Sequence, residues 1–297
     1  MLSFLFDTIF RALDLALIAV ALSAVYSLIK FPNVALVQYA VVGAFSGMLL
    51  QGLGVPLLVA VIIASGIVGF LALAFNVFIF ERLLRMGPAI ALIGSLALSM
   101  MLSAGFLMVF GPAANRFSVP VAPAIRMLGI RVTEMQAITG LSTIAALAFF
   151  AVLLFWTPLG REMRAVSNNA VLAAATGVDN SRVTNIVVLI SGILASLGGC
   201  MLAMRGSVSI DMGTNMLLPV FAAAILGGLG NAFGAVVGSI VIAIAETLVT
   251  NINFGPLFGG GFVFLPASYA PAASFALLVL ILLFRPKGLF VSEVSRV

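Results

Sequence analysis

Residues 31–80 read FPNVALVQYAVVGAFSGMLLQGLGVPLLVAVIIASGIVGFLALAFNVFIF, 50 positions without Asp, Glu, Lys or Arg. A helix crosses the hydrocarbon of a bilayer in roughly 20 residues, so this run alone holds two spans. Outward from it the pattern repeats. Charge-free runs cover Met86–Asn115 (30 residues), Met135–Gly160 (26), Val183–Met204 (22), Met212–Ala245 (34) and Thr247–Phe284 (38). Ahead of Lys30 lies Leu15–Ile29, which Arg11 and Asp14 can extend by reaching toward the interface.

Composition gives the same answer. Of 297 residues, 63% are hydrophobic and 8% charged, against roughly 45–50% and 25% in soluble domains. Backbone groups facing lipid must be satisfied within their own segment, which selects helices. The polar alternation of a barrel lumen is missing. The expected fold is all-α, a single transmembrane domain over 1–297. Its spans fall at roughly 9–29, 34–51, 56–80, 89–110, 134–156, 184–204, 214–228, 231–250 and 269–285, about nine (8–10) in number.

Lys and Arg in the short loops orient the bundle. With the C-terminus inside, the inner side carries Lys30, Arg82, Arg85, Arg161, Arg164, Arg182, Arg285, Lys287 and Arg296. The outer side carries Arg11, Arg116, Arg126, Arg131 and Arg205. A cleaved signal peptide is disfavoured, because Asp7 and Asp14 spoil the basic flank. The net charge of +5 reports topology and not nucleic acid, since no basic stripe with interleaved aromatics exists.

Several chemistries drop out. The chain has no histidine, so His-based metal sites and Ser-His or Cys-His catalysis are excluded. Cys200 is the single cysteine and reads as a small packing residue within a span. No G-x-x-x-x-G-K-[ST] phosphate loop occurs, so the chain does not hydrolyse ATP by itself. Asp14, Arg205 and Glu246 are the ionisable candidates at membrane depth, all near span ends. No proton relay runs through the middle.

Two segments break the apolar monotony. Ile225-Leu226-Gly227-Gly228-Leu229-Gly230-Asn231 divides one 34-residue run; it is either a tight hairpin or a broken helix beside a pathway. Thr157–Ser181 is a long polar loop in which Asn168 or Asn169 can cap a short helix that Gly177 can end. It is either a solvated connection or a handle for a partner protein.

The residues of this loop, Thr157-Pro158-Leu159-Gly160-Arg161-Glu162-Met163-Arg164-Ala165-Val166 followed by Gly177-Val178, resemble the T-x-L-G-R-x-M-R-A-V loop of bacterial ABC-importer permeases for branched-chain amino acids. Ala222–Glu246 resembles that family's A-x-x-x-G-G-L-G … G-A-x-x-G … E segment, and Arg285-Pro286-Lys287-Gly288-Leu289-Phe290 its R-P-x-G-L-F ending. Weaker agreement lies at Arg82–Arg85 and Gly94–Ser99. The resemblance implies a fold related to type II and ribose-importer permeases in a bacterial inner membrane. It also implies a second permease subunit (identical or homologous), two cytoplasmic ATPase subunits that bind ATP and magnesium, and an external solute-binding protein. This chain itself would hold no cofactor. The loop 157–183 would seat in the ATPase cleft through Thr157, Gly160, Arg161, Arg164, Ala165, Asn168, Asn169, Gly177 and Arg182.

The resemblance has a gap. After its first span the family reads N-F-A-H-G-[ED], then G-A; this chain reads Asn33-Val34-Ala35-Leu36-Val37-Gln38, then Gly43-Ala44. Ionisable positions have become apolar or neutral, which bears on the solute more than on the class. The expected path comprises Tyr26, Asn33, Leu36, Val37, Gln38, Tyr39, Gly94, Gly227, Gly228, Gly230 and Glu246. Branched-chain or other hydrophobic amino acids are the family default. Urea, short amides and aromatic or aliphatic carboxylates are alternatives, and an ion-coupled transporter or channel is the reading from another class.

Overall fold

A computed structural model of the chain describes residues 2–118, 125–127, 130–252, 264–266, 269–284 and 288–290. Its frame is a bundle of apolar helices: α1 (Leu2–Ile29), α2 (Ala35–Gly52), α3 (Leu57–Phe75), α5 (Pro88–Phe110), α6 (Glu134–Trp156), α9 (Asn180–Arg205), α10 (Asp211–Gly227), α11 (Ala232–Asn251) and α12 (Ala270–Phe284). Among the described residues, seven helices are long and apolar enough to cross a membrane, and α10 and α12 are shorter apolar helices. All nine stand where the charge-free runs placed spans.

Two boundaries differ from expectation. The first helix begins at Leu2, about two turns before position 9, and within it Arg11 and Asp14 pair with Glu246 and Arg205 on other helices. The third continues past Phe75 through a π-helical turn, Asn76–Phe80, into α4 (Glu81–Leu84), which draws Arg82 into helix. A π-turn adds one residue to the backbone ring and re-aims the side chains that follow it. Here it buries Asn76 and Phe80, and Phe80 meets Phe31 at 5.7 Å between ring centroids.

The centre of the bundle is α1, wrapped by α11, α9, α10 and α6. α9 carries α2 and α3 on its remaining faces, and α12 rests on α10 and α11. Helices α5 and α6 bury few residues and turn Met100, Met101, Met108, Ile144 and Phe149 outward, as lipid-facing helices do. Lipid gives no hydrophobic drive for helices to meet, so close approach through small residues takes over. At the α2–α9 crossing, a Cβ on Gly199 would lie 2.0 Å from the Ala40 carbonyl oxygen, and one on Gly43 2.1 Å from Ser196 Oγ. Cys200, on the same face, is fully buried, in keeping with a packing role.

The glycine-rich segment forms a tight hairpin. α10 ends at Gly227, Gly228 and Gly230 take positive φ (97° and 93°), and Asn231 caps α11 by accepting from the Gly234 amide at 3.1 Å. The two helices then run in backbone contact: a Cβ on Gly234 would sit 2.0 Å from the Gly227 oxygen.

Connections gather at the two ends. At the end opposite this hairpin, the segment after α5 is clasped twice: Gln51 exchanges two hydrogen bonds with the Ser118 backbone (2.7 and 2.9 Å), and Asn115 pairs with Val208. A small antiparallel ribbon, β1 (Ile125–Met127) and β2 (Ile130–Val132), follows, a local exception in an all-α fold.

Candidate functional site

The polar loop folds into two helices instead of one short helix within a connection. Thr157 ends α6 and caps α7 (Pro158–Asn168): its hydroxyl accepts from the Gly160 amide at 3.4 Å and donates to the Leu153 carbonyl at 2.5 Å. Pro158 occupies the first helical turn, where its missing N–H is not needed. The chain bends so tightly here that a Cβ on Gly160 would lie 1.9 Å from the Leu154 oxygen; only glycine fits. Asn169 then caps α8 (Ala170–Ala175), its Oδ1 accepting from Val171 and Leu172. Gly177, at φ 89°, closes that helix, with the Val178 amide reaching back to the Ala173 oxygen.

These two helices are amphipathic in an informative way. Met163, Val166 and Ala173 point into the bundle, while Arg161, Arg164, Ala165, Asn168, Asn169, Gly177 and Arg182 are exposed. Yet α8 also presents Val171 at 82% and Leu172 at 63% exposure. Arg164 bends back, donating to the Leu154 carbonyl at 2.5 Å with its guanidinium 5.8 Å from the Phe155 ring.

The pair is tied to the bundle at several points. Lys30, itself at φ 56°, donates from Nζ to the Ser167 carbonyl near the end of α7; a cation favours the C-terminal end of a helix. Partial burial lowers the Lys30 pKa from its ordinary value. Asp179 caps α9, and Asn180 donates to the Ala170 carbonyl. One turn further, Asn185 joins Asn76 (2.7 Å) and Glu81 (3.2 Å), and Ser181 also reaches Glu81. This network anchors the start of α9 on the π-turn of the third helix. The sequence showed no sign of it, because its members are ordinary polar residues about a hundred positions apart.

Arg164, Asn168, Gly228 and Gly230 line a common cavity of about 400 Å³ with Ser27 and Phe233. Tyr26 stands beside Gly230. The R-P-x-G-L-F ending also closes on this region: the Leu289 amide donates to the Leu226 carbonyl and Asn231 to that of Phe290, with Gly288 (φ 82°) against Gly228. Arg285, Pro286 and Lys287 lie outside the described residues.

The segment Asn33–Tyr39 lies in the interior. Asn33 Oδ1 accepts from the Ala35 amide, and the Val34 amide donates to Ser95 Oγ. Leu36, Val37, Gln38 and Tyr39 are all buried. Gln38 abuts Gly213 of α10, and Tyr39 stacks on Phe75. Among the described residues, neither Gln38 Nε2 nor Tyr39 Oη has a hydrogen-bond partner. A buried polar atom left alone costs about 1–3 kcal/mol. Gly94, next to Ser95 on α5, packs against Leu83.

Glu246 stands away from the glycine hairpin. It is 14 residues beyond Ala232, about 21 Å along α11 at ~1.5 Å per residue. There it is 2% exposed, accepting from Arg11 Nε and from Ser274 Oγ, both at 2.5 Å. Beside it, Asp14 pairs with Arg205, whose guanidinium lies 5.1 Å from the Phe10 ring. Asp14, Arg205 and Glu246 are distinctive in sequence as charges in spans; their pairing, and Arg11 as a partner, are not.

The fold as a whole is similar to that of a chain from a metal-chelate type ABC transporter in an inward-facing conformation, which aligns over 95% of this chain and 85% of its own with a TM-score of 0.53 at 17% identity. The family model described as branched-chain amino acid transport system / permease component matches residues 4–287. The chain belongs to that family and is a multi-pass membrane protein. It is similar to a probable branched-chain amino acid transport permease protein, LivH, of Methanocaldococcus jannaschii, 27% identical over 93% of this chain and 88% of that one. It is also similar to the high-affinity branched-chain amino acid transport system permease protein LivH of Escherichia coli, 29% identical over 53% of this chain. That match spans 48% of the Escherichia coli protein's length.

Proposed function

We propose that this chain is the membrane subunit of an ATP-driven importer that moves a small organic solute, a branched-chain or other hydrophobic amino acid, into the cytoplasm without altering it. The observation that carries this reading is the α7–α8 pair. A polar, capped double helix that holds Val171 and Leu172 out of the bundle costs free energy unless another protein covers them. With no phosphate loop in the chain, such a partner supplies the energy in this reading. Two ATPase subunits with ATP and magnesium dock there, which makes this end and the C-terminus cytoplasmic. A second permease subunit completes the path, and an external binding protein delivers solute at the opposite end.

Within the chain, Asn33–Tyr39 borders the path in this reading. The unpartnered Gln38 Nε2 and Tyr39 Oη support that role: donors left idle in one state are available to a passing solute in another. Weak, few polar contacts suit a path, since a tightly held solute would not leave.

The test is reconstitution. Proteoliposomes holding this chain, its ATPase subunits, a second permease subunit and the binding protein should accumulate labelled leucine only with ATP. Accumulation by this chain alone, driven by a sodium or proton gradient, would overturn the proposal.

A further inference from the structure

Beyond the coupling end, the bundle holds a second cavity, of about 540 Å³, at its opposite end. That size is within the about 300–1,000 Å³ of small-molecule sites. Arg11 and Arg205 line it together with Ser209, Asn215, Met212 and Met216. The charge arrangement is asymmetric. Each arginine has an acidic partner, but Glu246 and Asp14 are buried behind the guanidinium groups and do not reach the wall. The cavity therefore meets its contents with the cations and not with the carboxylates.

Arg11 also keeps donors in reserve, while Arg205 adds its charge from a more buried position. Arg11 spends Nε on Glu246, and its side chain is 30% exposed. Arg205 Nε has no hydrogen-bond partner among the described residues. Two like charges facing one space repel, and an anion between them relieves the repulsion. Met212 and Met216 in the same lining offer an apolar, adaptable surface.

We infer that this cavity is an entry subsite for a small organic carboxylate with an aliphatic body, gripped by Arg11 and Arg205 through its carboxylate before it passes inward. The inference rests on the importer reading and sharpens it. Among the solutes open to this family resemblance, it selects those with a free carboxylate and rejects urea and simple amides. The forked guanidinium matches a carboxylate's two oxygens, whereas an amide brings its own donors to a wall of donors.

The experiment uses the full chain in lipid nanodiscs, without ATPase or binding protein, and reads the rate at which phenylglyoxal modifies Arg11 by mass spectrometry. Isovalerate and L-leucine, at about ten times Kd, should slow modification about tenfold; isovaleramide, the neutral isostere, should not. Arg205→Lys keeps a cation for Asp14, so its thermal midpoint should hold, but it should raise the isovalerate concentration for half-protection about tenfold. Equal protection by isovaleramide, or protection by neither probe, refutes the assignment. In a second arm with the binding protein added, protection by that protein while isovalerate stays inert also refutes it and makes the arginines a protein-docking contact. The two levels of inference separate cleanly: ATP-driven uptake without protection sinks the subsite and leaves the importer standing. Protection without ATP-driven uptake does the reverse.

Discussion

Replacing both Val171 and Leu172 by Ser should detach the energy source from this permease without disturbing its fold. Fully burying a Val or Leu side chain stabilises by about 1.5–3 kcal/mol. In the isolated chain Val171 is 82% and Leu172 63% exposed, so about 1–2 kcal/mol each remains to be gained on docking. Ordering and imperfect desolvation reduce such gains at interfaces, leaving about 2 kcal/mol for the pair. That corresponds to about a thirtyfold rise in the Kd for the ATPase subunit. The unfolding midpoint of the permease should not move, since neither side chain is buried in it and Asn169 still caps α8. The assay is titration of nucleotide-free ATPase subunit onto immobilised permease, with a thermal melt of each variant as the control. An unchanged Kd beside an unchanged midpoint would refute the docking argument, and α7–α8 would then be only a solvated connection.

Gly199→Ala should destabilise strongly, by roughly 2–4 kcal/mol or failure to assemble, because its Cβ would strike the Ala40 backbone; a denaturant titration in detergent checks this. Tyr39→Phe removes a buried hydroxyl with no partner among the described residues and should leave stability equal or raised by about 1 kcal/mol, while changing the rate of uptake. Loss of stability would show instead that the hydroxyl is satisfied in the resting state. Glu246→Gln should cost about 1–3 kcal/mol by stranding Arg11, and the double variant with Arg11→Gln should recover most of it, as read from thermal midpoints. With Cys200→Ser as background, cysteines at Asn169 and Ser118 should label from opposite faces of the membrane; labelling from one face would contradict the helix order between them.

Much of this protein is legible along the chain. Hydropathy is a local property, and lipid demands about the same span length everywhere, so charge-free runs located all nine helices of the frame. Capping is local as well: Asn169 before an Ala/Leu run and Gly177 after it announce helix ends within a few residues. The glycines of 227–234 announced a hairpin or a break, and positive φ at Gly228 and Gly230 decides for the hairpin.

What the tertiary structure alone decided is which distant groups meet. Arg11 with Glu246, Asp14 with Arg205, Asn76 with Asn185 and Leu289 with Leu226 are pairings across helices, and nothing in a window of residues distinguishes the right partner from several of equal chemistry. Helices in lipid gain nothing from hydrophobicity by touching; their neighbours are chosen by shape, through contacts such as Gly199 on Ala40, and shape exists only once the helices are assembled. The sequence by itself therefore determined the membrane helices, their approximate places and their order. Assembly determined that α1 stands at the centre and that two arginines share one cavity, because both depend on packing between segments that the chain keeps far apart.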